Sequence, residues 1–384
     1  MNAPAKHSRA DRAAKHSPVD RAVKHSLADR IARLVVRSLI KLPAPVKRGL
    51  AVRPTVVDGQ TLDVNTQVGL RLMRLAGWSD FASMPIEKAR AQLSAEAWIF
   101  GDELPIETVE DIRIPAAHLD LPARIYRPAG LTGPAGGLVH FHGGGWTLGD
   151  LAAADAVSRW LAHHAGVVVI SVDYRLAPEN PFPAALDDAL GAYLQVATHA
   201  EEYGLDPARI GVSGESAGGN LAAVVAQETA RAARGGPSPT PTPTPTPALQ
   251  VLFQPVTDLS TKRASYRLFG EGFTMTEADM DFYRRSYLGD HGSATDPRVS
   301  PLLADDLSGV APAYISTAGF DVLRDEGEVY ARRLELAGVP VTLVRTPSLA
   351  HSAINVPGIC PPARDALLAA AESIRSALAS DTDV

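Results

Sequence analysis

The chain has 384 residues, 46% of them apolar, a single cysteine and a formal net charge of −6. That is enough to bury a sizeable core in one large domain, or in a domain with a smaller cap. It excludes a disulfide framework, and with no run of eighteen uninterrupted apolar residues it gives no ground for a membrane span. The charge is uneven: residues 1–53 carry thirteen Lys/Arg against three Asp, and the remainder 24 Lys/Arg against 40 Asp/Glu. A basic tail on an acidic body is a candidate for contact with anionic surfaces, while the body gives no reason to expect nucleic acid.

The chain opens on a nine-residue repeat, AKHSRADRA, AKHSPVDRA, VKHSLADRI. Nine residues make 2.5 helical turns, so successive copies would face opposite ways and build no continuous apolar stripe. Residues 1–26 are therefore expected to form a disordered basic tail. His7, His16 and His25 within it have no fixed acidic or cysteine partners, and no metal site is assigned to them. No apolar core with a small-residue cleavage site follows the basic start, so a cytoplasmic protein is expected. Leu27, Ile31, Leu34, Val35 and Leu39 then recur at helical spacing until Pro43, with Arg30, Arg33, Arg37 and Lys41 marking the polar side. This predicts a cap helix packed on the body; the alternative is an interfacial helix in peripheral contact with a membrane.

Two more helical stretches are expected near 62–77 and 85–100. From Val109 the pattern changes to short strand-like runs: VEDIRI, ARIYRP, GLVHFH, VVVISVDY, RIGVS, ALQVLFQP, AYISTAG and VTLVRTP. Helical segments intervene near 152–165, 183–200, 217–234, 325–337 and 362–378. The first two strands are close enough to pair antiparallel, and the rest alternate with helices as parallel strands covered on both faces. The expected organisation is a tail (1–26), a helical segment (27–104) and an α/β body (105–384). Within the body, PSPTPTPTPTP at 237–247 breaks the order; alternating proline forbids helix and central strand and predicts an extended surface spacer.

The chemistry concentrates in a few motifs. GESAG, residues 214–218, matches G-x-S-x-G and sits between the strand-like RIGVS and the helix-like NLAAVVAQETA. A serine on a sharp strand-to-helix turn needs Gly214 and Gly218 so that the two elements pass closely, and Ser216 is the expected nucleophile. Upstream lies HGGGW, His142–Trp146. Two of the N–H groups of Gly143, Gly144 and Gly145, with that of Ala217, would hold a developing oxyanion, each donor worth roughly 2.7–4 kcal/mol of barrier. The strand AYISTAG runs on to Asp321, and VTLVRTP is followed by His351. The order Ser…Asp…His suits an α/β-hydrolase, with Asp321 as the orienting carboxylate and Asp325 better suited to capping a helix. His140 and His142 form an H-x-H pair, but the further histidines a barrel metallohydrolase needs are missing.

Together HGGGW, SVDYRLAPE, GESAGGN, GFDVLRDEG and His351 closely resemble the hormone-sensitive-lipase family, the bacterial family IV esterases, over residues ~105–375. The resemblance implies an α/β-hydrolase fold, a mostly parallel sheet flanked by helices, with a helical cap drawn from residues ~27–100 and an insertion at about 257–290. It implies Gly144, Gly145 and Ala217 as oxyanion donors, Gly143 as the residue shaping the loop, and YRLAPE as a structural segment. It implies a carboxylic-ester hydrolase acting on small-molecule esters of short to medium chain length, with no metal or organic cofactor. The alternatives are a membrane-associated lipase on longer chains and a non-catalytic ligand binder. Two positions depart from the family pattern: Glu215 stands where Asp is usual, and His351-Ser352-Ala353 where His-Gly-Phe is usual.

Overall fold

The computed structural model describes residues 26–75, 80–116, 119–236 and 243–379. The repeat tail, its three histidines and the first six residues of the Pro-Thr run lie outside the described residues. The remainder of that run, residues 243–247, has no helix or strand, and Pro247 at its end is buried rather than on the surface.

Every strand-like run forms a strand. After a small hairpin, β1 (Val56–Val57) with β2 (Gln60–Thr61), come β3 (Thr108–Ala116), β4 (Leu119–Arg127), β5 (Ala135–Phe141), β6 (Val168–Val172), β7 (Leu205–Glu215), β8 (Gln250–Phe253), β9 (Ala313–Phe320) and β10 (Val341–Ala350). The eight from β3 form one sheet in the order β10-β9-β8-β7-β5-β6-β4-β3. β3 and β4 pair antiparallel, as does β4 with β6; from β6 through β5 to β10 every pairing is parallel. The central strands β5, β6, β8 and β9 are buried at every residue, whereas the edges β3 and β10 alternate. Burial on both faces is why the central strands read in sequence as continuous apolar runs.

The covering helices are α5 (Asp155–Ala165), α6 (Ala184–Thr198), α7 (Ala217–Ala233), α10 (Arg324–Leu336) and α11 (Pro361–Leu378). α6, α7 and α10 share one core with Val139, Val212, Leu252 and Ile315. α5 and α11 share the other, where Trp160, Leu161, Leu367 and Ile374 meet Leu138, Val169, Val251 and Tyr314. Alternate residues of the same strands thus point into opposite layers, as the two-residue period of a strand requires.

Among the described residues, six α-helices precede or interrupt this body: α1 (Leu27–Ile40), α2 (Ala44–Ala51), α3 (Val64–Leu75), α4 (Ile86–Phe100), α8 (Ala264–Phe269) and α9 (Glu277–Leu288). At the start of α9 the Thr276 hydroxyl accepts from the Asp279 N–H while the Asp279 carboxylate accepts from Thr276. The same carboxylate accepts from the Ala82 N–H at 3.0 Å, linking the insertion to the N-terminal segment.

The orientation of α1 corrects the sequence expectation. Of its apolar stripe only Leu39 is half-buried: Leu27, Ile31, Leu34 and Val35 are 74, 53, 69 and 47% exposed, and no residue of the helix is fully buried. The docked side carries Arg33 and Arg37, with Ala32, Val36 and Ile40 half-buried beside them. Arg33 donates to the Trp98 carbonyl and lies 4.5 Å over the Trp98 ring, and Arg37 donates to the Gly101 carbonyl. Both guanidiniums thereby satisfy carbonyls at the C-terminal end of α4, where the helix dipole favours cations.

Candidate active site

Four strands deliver the site at their C-terminal ends, the usual place for a ligand in a parallel α/β sheet. β7 turns into α7 at Ser216, whose φ of 56° and ψ of −115° lie where only a forced turn puts a side-chain-bearing residue. Its N–H donates to the Phe253 carbonyl at 2.9 Å and its carbonyl accepts from Asn220, so neighbouring strands and helix hold the turn. A Cβ at Gly214 would overlap the Gly218 carbonyl, and one at Gly218 would overlap the carbonyl of Phe141. The two glycines are therefore required by the crossing of β7, α7 and β5.

Asp321 directly follows β9 and His351 directly follows β10. His351 Nε2 is 3.0 Å from Ser216 Oγ, and its Nδ1 is 2.8 Å from Asp321 Oδ2. Asp321 Oδ1 accepts from the Leu323 N–H at 2.9 Å. All three side chains are nearly inaccessible to solvent. Asp325 lies apart, accepting from the Ser265 N–H and from Arg324. Burial opposes the charged form of His351, but the adjacent Asp321 carboxylate, with Glu215 beyond it, outweighs that penalty and raises its pKa above the ordinary histidine value.

The HGGG segment leaves β5 beside Ser216. Gly143, Gly144 and Gly145 line one cavity with Ser216 and His351, and Ala217 is buried at the first turn of α7. Gly145 has φ +61°, and a Cβ there would strike the ring of Tyr283 on α9, so the insertion presses directly on this loop. Behind it His142 stacks on Tyr174 at 4.2 Å, and the Tyr174 hydroxyl donates to the His142 carbonyl at 2.8 Å. Arg90 on α4 grips Glu179 with two hydrogen bonds and donates to the carbonyls of Thr147 and Ala177. YRLAPE is thus a brace for the glycine loop. His140 is engaged by Ser213 Oγ at 2.8 Å, and burial drives its pKa down to about 3.

The cavity measures about 430 Å³. Its walls beyond the serine are mostly apolar, with Leu70 and Met73 from α3, Leu93 and Phe100 from α4, and Phe273 and Met275 from the segment before α9.

Comparison with known proteins decides the relationship. The family profile described as alpha/beta hydrolase fold matches residues 138–355. Carboxylic ester hydrolase LipN of Mycobacterium tuberculosis is 44% identical over 333 residues, covering 85% of this chain and 86% of that protein. Ethyl acetate hydrolase of Pseudomonas putida is 38% identical over 262 residues, 67% of this chain and 79% of that one. Among solved structures, an ester-hydrolase from the metagenome of Lake Arreo superposes with a TM-score of 0.76 at 35% identity, covering 82% of this chain and 98% of that chain.

The chain belongs to the α/β-hydrolase family, in its hormone-sensitive-lipase-like, actinobacterial-type branch.

In this hydrolase the two departures from the family pattern meet. The Ser352 hydroxyl donates to Glu215 Oε1 at 2.6 Å, and the same oxygen is 3.5 Å from His351 Nε2. Sequence reading treated the positions separately and missed the contact, since 137 residues separate them. It also missed Gln254, whose side-chain oxygen accepts from the Ser352 N–H at 2.7 Å, and Thr274, whose hydroxyl donates to the His351 carbonyl at 2.8 Å. Neither residue type carries a signal by itself. The only hint for Thr274 was its place in the family's cap insertion. Buried Asn220 was visible in GESAGGN, but not its role: its amide donates to the carbonyls of Val256 and Val299, fastening α7 to the loops beside the serine.

Proposed function

We propose that this hydrolase cleaves carboxylic esters of short to medium acyl length through a Ser216–His351–Asp321 triad and an acyl-enzyme intermediate. The protein is a serine carboxylesterase by its family; the residue roles and the chain length are our reading. Ser216 Oγ attacks the ester carbonyl carbon while His351 Nε2 takes its proton. Asp321 holds the Nδ1 proton, fixing the tautomer and stabilising the imidazolium as it forms. The N–H groups of Gly144, Gly145 and Ala217 stabilise the oxyanion, with Gly143 shaping the loop. The intermediate collapses, the alcohol leaves with the proton from His351, and water repeats the sequence on the acyl-serine. None of these steps calls for a metal or an organic cofactor.

The observation that carries this reading is the unbroken chain of hydrogen bonds from Asp321 through His351 to Ser216, at 2.8 and 3.0 Å, opening into one largely apolar cavity. Burying each acyl methylene contributes about 0.8 kcal/mol until the cavity is full, which supports an optimum near about C4 to C8. A rate series on p-nitrophenyl esters from acetyl to palmitoyl tests it. An optimum at the longest chains would replace the esterase reading with that of a lipase.

A further inference from the structure

The exposed stripe of α1 has no counterpart in the esterase reading. Leu27, Ile31, Leu34 and Val35 fall at i, i+4, i+7 and i+8, on one side of the helix, and all four face solvent. The helix is fixed in that orientation from behind. Arg33 and Arg37 bond the end of α4 and stand 3.1 Å from Glu103 and 3.7 Å from Asp102. Ser26 and Asp29 close the N-terminus as a reciprocal cap. Rotating the stripe inward would therefore break four polar contacts and turn both arginines away from α4.

Cations accompany the stripe along this segment. Arg30 and Lys41 on and just after α1, and Arg48 and Arg53 on and after α2, are all exposed. The first 53 residues hold thirteen Lys/Arg and three Asp. More apolar side chains continue along the segment, with Val46, Leu50 and Val52 at 41 to 60% exposure.

We infer that this face of α1 docks on an anionic lipid bilayer, with Leu27, Ile31, Leu34 and Val35 entering the interface and the arginines and lysines along the segment meeting the headgroups. An exposed apolar stripe accompanied by Lys/Arg is the arrangement of helices that lie in the membrane plane, and basic segments are drawn to anionic headgroups. A second copy of this chain fits less well. Four side chains on a two-turn stripe cover far less than the roughly 800 Å² per partner of a stable interface. Such a contact would also bring two strongly basic segments together. Docking would set the cap helices against the lipid: α4, to whose end α1 is bonded, lines the cavity with Leu93 and Phe100. The inference is independent of the esterase reading, because its readout is binding.

The test is co-sedimentation of the full-length protein with vesicles of phosphatidylcholine, with and without phosphatidylglycerol. Wild type, the triple variant Leu27→Glu/Ile31→Glu/Leu34→Glu, and Leu336→Glu, a control at a 79% exposed site on α10, are compared. Wild type and the control should sediment with the anionic vesicles and bind neutral ones far less. Raising salt from about 50 mM to about 500 mM should release much of the bound protein, since surface charges are then screened within a few ångströms. The triple variant should bind at least about tenfold more weakly, with its hydrolysis of a soluble ester unchanged. Equal binding by the triple variant would assign adhesion to the basic residues alone and overturn the role of the stripe. No binding to anionic vesicles would overturn the proposal. So would a concentration-dependent dimer that the triple substitution dissolves in the absence of vesicle binding.

Discussion

The hydroxyl of Ser352 donates a 2.6 Å hydrogen bond to Glu215, joining the residue after the histidine to the residue before the serine. Ser352 has φ 59° and ψ 8°, a left-handed conformation that the family's usual glycine adopts freely. A side chain there costs about 1–2 kcal/mol, which the hydroxyl's bond to Glu215 offsets. The added methylene of glutamate carries the carboxylate to within reach of both Ser352 and His351. The two substitutions therefore act as one unit. Ser352→Gly alone should lower kcat/KM by leaving Glu215 short of a buried donor, and Glu215→Asp alone by shortening the reach. The double variant should recover much of the loss. A double-mutant cycle on kcat/KM should give a coupling of roughly 1 kcal/mol or more; additive losses would mean that the pair is incidental.

The acid side of the pH–rate profile reports the same arrangement. His351 acts as a base only when neutral, and its pKa is raised: burial opposes the charge, but Asp321 first and then Glu215 favour it more strongly. The acid midpoint of kcat/KM should thus lie above the ordinary value of about 6.5. Glu215→Gln removes one of the two negative charges facing the ring, so the midpoint should move to lower pH and relative activity in mildly acidic buffer should rise. A midpoint that stays fixed would show that Glu215 does not act on the imidazole.

Glu96 gives the cavity wall its own pH dependence. It projects from α4 into the pocket, where Gln92 donates to it at 2.8 Å, and burial pushes its carboxyl up to about 7 against the lowering effect of that hydrogen bond. The folded form then binds a proton that the unfolded chain has released, so this group's stabilising effect is full below 4.5 and is lost as pH rises to about 7. Above that pH a charged carboxylate faces the acyl chain. KM for apolar esters should rise as pH passes through about 7. Glu96→Gln should flatten that rise and the fall in melting temperature between about pH 4.5 and 7. Parallel profiles for variant and wild type would exclude Glu96 from both effects.

Much of this was legible in the sequence because two-sided burial writes itself as apolar runs: β5, β6, β8 and β9 could be read directly. The serine turn was legible because steric crowding admits only glycine at 214 and 218. What could not be read depends on long-range placement. Periodicity in α1 revealed a stripe but not which side would dock, because the binding partners of Arg33 and Arg37 are main-chain carbonyls about 65 residues away, invisible to any side-chain pattern. The hairpin of β1 and β2 has two residues per strand, too few for a period to register. Gln254 and Thr274 brace the histidine loop through contacts that many polar residues could make.

Removal of the nucleophile is the direct test of the triad. Ser216 sits at 4% exposure with its hydroxyl on His351 Nε2, and truncating it should leave the fold intact. Ser216→Ala should reduce kcat by about 10⁶ with an unchanged melting temperature. Asp321→Asn keeps the shape but favours the wrong imidazole tautomer, and should cost about 10⁴. A Ser216→Ala protein retaining a tenth of wild-type turnover would mean that another group attacks the ester.

The acyl wall is open to change at Ala353. The family pattern places an aromatic here; in this chain Ala353 is buried at the start of a short turn, Ala353–Asn355, and lines the cavity two residues from His351. Losing a ring there enlarges the space near the reacting carbon. Ala353→Phe should return that bulk and shift the p-nitrophenyl ester optimum toward shorter chains, since each methylene the cavity no longer admits forfeits about 0.8 kcal/mol of binding. The change should appear in kcat/KM for hexanoyl and octanoyl esters while acetyl ester hydrolysis is nearly preserved. Ala353→Leu should give an intermediate profile. A uniform loss across all chain lengths would indicate a displaced histidine loop, and an unchanged profile would remove residue 353 from the acyl wall.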